Sequence, residues 1–188
     1  IPDIYQGNEI WTVSLVDPDN RRPVDFARRR AMLSELQQAM GATGPTAETL
    51  DQLFHPPDDG RVKMYILWRV LAFRRENPGL FAQGEYLPLQ VSGSGQEHIC
   101  AFARRYGEKV LIVAVPRLVA RLVRHQVGRL PLGEEIWGDT RLHLPEVLQS
   151  LEYTNLMTGK NSISPQGRVG FLGGELFDLF PLALLANQ

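Results

Sequence analysis

Ile1-Pro-Asp-Ile-Tyr-Gln-Gly-Asn-Glu9, followed across Ile10 to Val16 by Asp17-Pro-Asp-Asn-Arg-Arg-Pro-Val-Asp25, is the stretch on which the reading of the chain turns. Residues Ile4 to Leu15 mix strand-favouring Ile4, Tyr5, Ile10, Trp11 and Val13 with Gly7 and Asn8, the pattern of a buried strand that leaves the core and becomes a loop. The string from Asp17 to Asp25 has prolines, turn formers and paired charges but no periodicity, so it reads as a loop of fixed shape. Together the two strings collect Asp3, Tyr5, Gln6, Glu9, Trp11, Asp17, Asp19, Asn20, Arg21, Arg22 and Asp25. Carboxylates and amides bond to paired hydroxyls, and aromatic rings lie under the apolar face of a sugar, so these residue types suit a saccharide. Turn capping by Asp17 and Asp19, ion pairing by Arg21 and Arg22, and helix capping by Asp25 account for the same residues without any ligand. From composition both readings stand.

Moving outward, Met32, Leu33, Leu36 and Met40 recur at helical spacing over Phe26 to Met40, with Asp25 placed to cap the start and Gly41 to end the helix. Ala42 to Gly60 is rich in Pro, Thr, Asp and Gly and reads as a surface insertion with a turn or two of helix around Glu48 to Phe54. Asp59 is placed to cap a stronger helix, Arg61 to Glu76. Its two apolar stripes, Val62, Tyr65, Ile66, Val70, Phe73 and Met64, Leu67, Trp68, Leu71, predict packing between two partners, with Tyr65 and Trp68 in the core. Asn77-Pro78-Gly79 breaks the helix, and Pro78 to Gly84 marks a domain boundary.

Beyond the break the period changes to alternating or short apolar runs: Tyr86 to Val91, His98 to Arg104, Val110 to Val115, Leu118 to Val123, Arg141 to Leu144, Tyr153 to Met157, Arg168 to Leu172 and Leu182 to Leu185. Turn clusters separate them, and the set predicts an antiparallel β-sandwich. Trp137 reads as a core aromatic or a surface sugar platform, Cys100 as a small buried hydrophobe, and His98 and His143 as core or rim. Arg28 to Arg30 and Arg117 to Arg124 read as solvated faces.

Composition narrows the function classes. With 188 residues, 44% hydrophobic and 22% charged, the chain can bury a real core and is too polar for a membrane protein. Twenty Lys and Arg against twenty-one Asp and Glu leave a net charge of −1, which removes the bulk electrostatic case for a nucleic-acid or anionic-membrane partner. One cysteine forms no internal disulfide, and the four histidines lack the spacing of a metal site, so we expect a reducing, cytoplasmic setting with no metal and no cofactor. The chain opens on Ile1-Pro2 inside a motif, as a piece of a longer polypeptide would.

The first string resembles the eighth-strand motif of the α-amylase family of glycoside hydrolases. The second, with Asp59-Gly-Arg-Val-Lys-Met-Tyr65, narrows the resemblance to the maltooligosyltrehalose synthases of that family. Arg74-Arg-Glu-Asn-Pro78, Leu80-Phe81, Pro131-Leu-Gly133, Trp137-Gly-Asp-Thr140, Leu156-Met-Thr-Gly159 and Phe180-Pro-Leu-Ala-Leu184 continue it in order. The resemblance implies an α+β chain: residues 1–78 as the end of a (β/α)8 barrel (last strand, substrate loop, helices) and 79–188 as a C-terminal β-sandwich. It implies a retaining mechanism with two carboxyl groups about 5–5.5 Å apart. The activity implied is an intramolecular transglucosylation that turns the reducing-end α-1,4 link of a maltooligosaccharide into an α,α-1,1 link. The family's catalytic carboxylates precede the eighth-strand motif, so no catalytic residue is assigned here. Tyr5, Gln6, Glu9, Asp17, Asp19, Asn20, Arg21 and Arg22 are the expected substrate-binding wall, and the expected partners are a maltooligosaccharide and the catalytic barrel of the same polypeptide. A carbohydrate-binding or interaction module without catalysis is the alternative.

Overall fold

A computed structural model describes residues 5–12, 21–41, 44–56, 59–160 and 169–187. The chain divides into two compact units, residues 1–73 and 74–188, the division falling in the last turn of the third helix, just short of the Pro78 break.

Unit one is helical among its described residues. Helix α1 (Phe26–Met40) starts where Asp25 Oδ1 accepts the backbone N–H of Arg28 at 2.9 Å, satisfying one of the donors that a helix start leaves open, and stops at Gly41, whose φ of 56° a side chain would strain. Its inward stripe is Met32, Leu36 and Met40. Helix α2 (Ala47–Gln52) is closed by a reciprocal pair, Thr49 N–H to Thr46 Oγ1 at 3.2 Å and Thr46 N–H to Thr49 Oγ1 at 2.8 Å. It buries Leu50, and Leu53 just beyond it is buried too. The segment expected as a surface insertion therefore supplies core, because two leucines three apart give even a short helix an apolar side.

Helix α3 (Arg61–Glu76) is capped as expected, Asp59 Oδ1 accepting from Arg61 N–H at 2.8 Å. Arg61 Nε also lies 2.7 Å from Asp59 Oδ2, off the N–H line, so that contact is an ion pair and not a hydrogen bond. Only Met64 and Tyr65 are fully buried on α3. Trp68 is half-buried, with the Arg69 guanidinium 5.7 Å from its ring centre, and Leu71 is exposed, so the second stripe is covered at Met64 and the expectation of a helix covered on both sides fails at Leu71. Burial pushes the Tyr65 phenol up to about 12, against an opposing effect of the Arg69 charge. Of the segment expected as a strand, residues 1–4 and 13–15 lie outside the described residues, and residues 5–12 hold a turn and no strand, with Asn8 N–H on Tyr5 C=O at 3.2 Å. A parallel strand needs neighbours on both sides to satisfy its backbone, and the described residues of unit one contain no strand.

Unit two begins with a short helix, α4 (Pro78–Ala82), where a plain break was expected; Pro78 sits in its first turn, where its missing N–H costs nothing. Two antiparallel sheets follow. The larger has the order β1 (Glu85–Pro88), β3 (Ile99–Tyr106), β4 (Lys109–Pro116), β8 (Ala183–Asn187), β6 (Tyr153–Asn155); the smaller has β2 (Val91–Ser92), β5 (Arg141–His143), β7 (Gly170–Leu172). The run Tyr86 to Val91, expected as one strand, is split between sheets. Leu89 N–H still bonds to Ala101 C=O at 3.1 Å, while Gln90 C=O already accepts from His143 N–H at 2.8 Å. The pairing Ile99↔Pro116 to Tyr106↔Lys109 makes the β3–β4 hairpin the longest ladder.

The core lies between the sheets: Ile99, Ala101 and Ala103 of β3, Val110, Ile112 and Ala114 of β4, Ala183 and Leu185 of β8, facing Leu142 and Phe171 with Trp137, Tyr153 and Phe177. Cys100 is exposed, correcting the expectation that it is buried. It shares the outer parity of β3, and the small Ala101 and Ala103 turn inward because the large rings already fill the core volume. Leu118 to Val123, expected as a strand, is a helical turn, α5 (Val119–Leu122), entered through Leu118 at φ 53°. Its apolar residues at 118, 119, 122 and 123 fit a helical face as well as a strand, and length alone could not arbitrate. Trp137, at the end of α6 (Glu134–Trp137), is fully buried, donates Nε1–H to Pro131 C=O at 2.8 Å and packs on Phe177 with ring centres 4.8 Å apart. It is core and not a platform.

Candidate functional site

Three of the expected wall residues, Asp17, Asp19 and Asn20, lie outside the described residues. Arg21 and Arg22 are exposed at the approach to α1. Tyr5, Gln6 and Glu9 belong to one turn, and the structure shows what shapes it. Gly7 is buried at φ +85°, and a Cβ there would sit 2.9 Å from Val24 Cγ2, so only glycine lets the chain fold back against Val24. The Gly7 carbonyl accepts from Thr12 Oγ1 at 3.2 Å and from the Arg29 guanidinium. Glu9 Oε2 takes Arg29 Nε–H at 2.9 Å, and Arg29 Nη1 reaches the Asp25 carbonyl at 3.0 Å.

The far end of the segment is fixed from α3. Lys63 donates to Asn8 Oδ1 at 2.8 Å and lies 5.1 Å from the Trp11 ring centre, and Gly60, at φ +84°, comes so close that a Cβ would lie 2.7 Å from Trp11 N and 2.9 Å from Ile10 Cα. Ile10 is 2% exposed and anchors the segment, while Tyr5 at 62%, Gln6 and Trp11 at 49% face outward. The result is a surface edge with two aromatic rings, an amide, a carboxylate and an ammonium, held from behind by two cations on two helices. It can stack on an apolar ring face and bond to hydroxyls; among the described residues it holds no paired carboxylates poised for acid–base work.

Arg29 and Lys63 were not among the expected site residues, Arg29 was read as solvated, and Trp11 was counted among the saccharide-suited residues but not in the expected wall. The available signal was the helical spacing of Asp25 and Arg29, which puts the guanidinium over the start of α1; its turn toward Glu9 depends on a contact twenty residues apart. A cleft of about 140 Å³ lined by Met32, Leu36, Met40 and Leu53, with Glu35 and Arg61 3.6 Å apart at its rim, is apolar at its floor and unlike the turn in chemistry.

In unit two, Ser92 Oγ and His143 Nε2 are 2.6 Å apart, joining β2 to β5. Asp139 Oδ1 accepts from Ser94 N–H at 2.9 Å and from Ser94 Oγ–H at 2.7 Å, which holds its carboxyl below the usual carboxylate range. The carboxylate is spent on Ser94 and not on His143, so these groups are loop fastenings and form no triad. His98 is buried, with Nδ1 3.2 Å from Arg117 C=O, and ties the start of β3 to the end of β4.

No family model matches the chain. Two strains of Mycobacterium tuberculosis, CDC 1551 and H37Rv, carry a protein assigned as a maltooligosyl trehalose synthase to which this chain is 36% identical over all 188 residues, covering 100% of the chain and 19% of the relative. Among solved structures, a mutant of maltooligosyltrehalose synthase from Arthrobacter ramosus superposes with a TM-score of 0.69 at 33% identity, over 100% of this chain and 20% of that one. Helices leading into an antiparallel sandwich, matched end to end in this way, support a segment of an α-amylase-family protein. Within that family it is the maltooligosyltrehalose synthases that the chain resembles in sequence and fold. It spans about one fifth of the length of the curated relatives it matches.

Proposed function

We propose that the chain is the C-terminal part of a cytoplasmic maltooligosyltrehalose synthase, with residues 1–78 closing the catalytic barrel and 79–188 forming the terminal sandwich. The whole enzyme moves the reducing-end glucose of a maltooligosaccharide from an α-1,4 to an α,α-1,1 link. A carboxylate nucleophile displaces the terminal glucose to give a glycosyl-enzyme, with the second carboxyl protonating the leaving oxygen. The glucose, retained and reoriented, attacks through its anomeric hydroxyl as that same carboxyl takes the proton back. The carboxyl pair resides in the barrel outside this chain. Tyr5, Gln6, Glu9, Asp17, Asp19, Asn20, Arg21 and Arg22 form a substrate wall, and Trp11 and Lys63 adjoin it.

The observation that carries this reading is the unbroken match of all 188 residues to proteins of that name in sequence and fold. The outward-facing Tyr5, Gln6 and Trp11 on a turn rigidified from behind supply the chemistry a glucan needs at such a wall. Incubation of the full-length protein with maltopentaose, followed by a reducing-end assay and product chromatography, tests it. Loss of reducing ends without release of glucose is expected; release of glucose or no reaction overturns it. The 188-residue chain by itself is expected to give no turnover.

A further inference from the structure

We propose that Arg29 is a positioning residue for the sugar-facing edge formed by Tyr5, Gln6 and Glu9, acting through the Glu9 carboxylate and the Gly7 carbonyl. The inference rests on the reading that this edge meets a maltooligosaccharide.

Three arginines follow one another on α1, and they are used differently. Arg28 and Arg30 are exposed, whereas the Arg29 side chain is only 12% exposed and turns its guanidinium on the 5–12 segment. The acceptors of that guanidinium lie in or beside the segment: Glu9 Oε2 on Nε, the Gly7 carbonyl on Nη2, the Asp25 carbonyl on Nη1. A planar guanidinium fixes the directions of its N–H groups, so filling them sets the orientation of the Glu9 carboxylate as well as its position. Glu9 remains 38% exposed and can meet a hydroxyl while Arg29 holds one of its oxygens.

Helix α1 does not need Arg29 for its own stability. Asp25 caps it, and Met32, Leu36 and Met40 anchor it. Nor does Gly7 hold the turn by itself: its contact with Val24 limits how far the backbone can move inward, and among the described residues it is the guanidinium that draws both the carbonyl and the Glu9 side chain toward the helix. The arginine therefore acts on the geometry of the edge more than on the fold.

The test uses the full-length protein carrying Arg29→Gln, Arg29→Lys, Glu9→Gln and the double variant Arg29→Gln/Glu9→Gln. Maltopentaose affinity is measured by calorimetry, KM and kcat by product formation, and folding by melting temperature. Arg29→Gln is expected to weaken binding and raise KM about tenfold, the scale of a lost charge-assisted hydrogen bond, with the melting temperature within about 2 °C of wild type. Arg29→Lys keeps the charge without the fork and falls between the two. The double variant is expected to lose less than the sum of the two single losses, because the two substitutions share the Arg29–Glu9 interaction. Unchanged affinity and KM in folded Arg29→Gln, or additive losses in the double variant, would overturn the role. If Arg29→Gln fails to fold, Arg29→Lys decides, and wild-type KM in that variant overturns it as well. Failure of the wild-type protein to bind maltopentaose would instead overturn the reading of the edge as a sugar site.

Discussion

Replacing Trp137 separates its two sequence readings, core ring and sugar platform, by more than their difference in location. In Trp137→Phe the Nε1 donor disappears and the Pro131 carbonyl, bonded at 2.8 Å, is left unpaired in a buried site, which costs about 1–3 kcal/mol. The smaller ring also loosens the 4.8 Å packing on Phe177 and the contact with Gly173, where a Cβ would already lie 3.2 Å from the indole Cγ, adding about 1 kcal/mol for the unfilled volume. Trp137→Ala removes the whole ring and should cost about 3–5 kcal/mol, a large share of the roughly 5–15 kcal/mol that keeps a domain folded. Urea unfolding of the 188-residue chain followed by far-ultraviolet circular dichroism reads both. At a slope of roughly 2 kcal/mol per molar urea, Trp137→Phe should lower the midpoint by about 1–2 M and Trp137→Ala by about 1.5–2.5 M. A Trp137→Ala chain with an unshifted midpoint would refute the packing argument.

The Tyr65 phenol, raised from 10.0 to about 12 by burial, favours the protonated form in the folded state, so its contribution is complete below pH 10 and is lost as pH rises toward 12. Unfolding midpoints should fall across that window, by less in Tyr65→Phe, and absorbance at 295 nm should show a late-titrating tyrosine. Gly60→Ala combines φ +84° with a Cβ 2.7 Å from Trp11 N, and should cost about 1–3 kcal/mol while altering the Trp11 fluorescence environment; a wild-type melting curve would contradict it. In the full-length protein Arg21→Ala and Asp19→Ala are each expected to lower kcat/KM by about a hundredfold, the scale of an ångström of misplacement, with melting temperatures unchanged. Near-normal turnover would make the 17–25 loop scaffold.

Elements whose signals are local were legible in the sequence. The cap at Asp25, the stop at Gly41 and the cap at Asp59 each depend on a few neighbouring backbone groups, so residue type and spacing were enough to place α1 and the start of α3. The β3–β4 hairpin was legible for a similar reason: two alternating runs joined by Gly107-Glu108 leave one short-range pairing. The residue types exposed on the 5–12 edge were legible in the sequence, and the likeness to the synthases was legible as an ordered set of motifs.

What tertiary structure alone decided were choices between local options of nearly equal energy. Residues 85–92 could have made one strand, and long-range pairing with β3 on one side and β5 on the other divided them. Cys100 and Ala101 both suit a strand interior, and the rings of Trp137, Tyr153, Phe171 and Phe177 took the volume on the side where only alanine fits. Arg29 looked like its neighbours Arg28 and Arg30 until the turn at Gly7 brought Glu9 within 2.9 Å. Periodicity within one segment determines which faces can be apolar or charged; which groups then meet depends on contacts between residues far apart in the chain, and no local pattern encodes those.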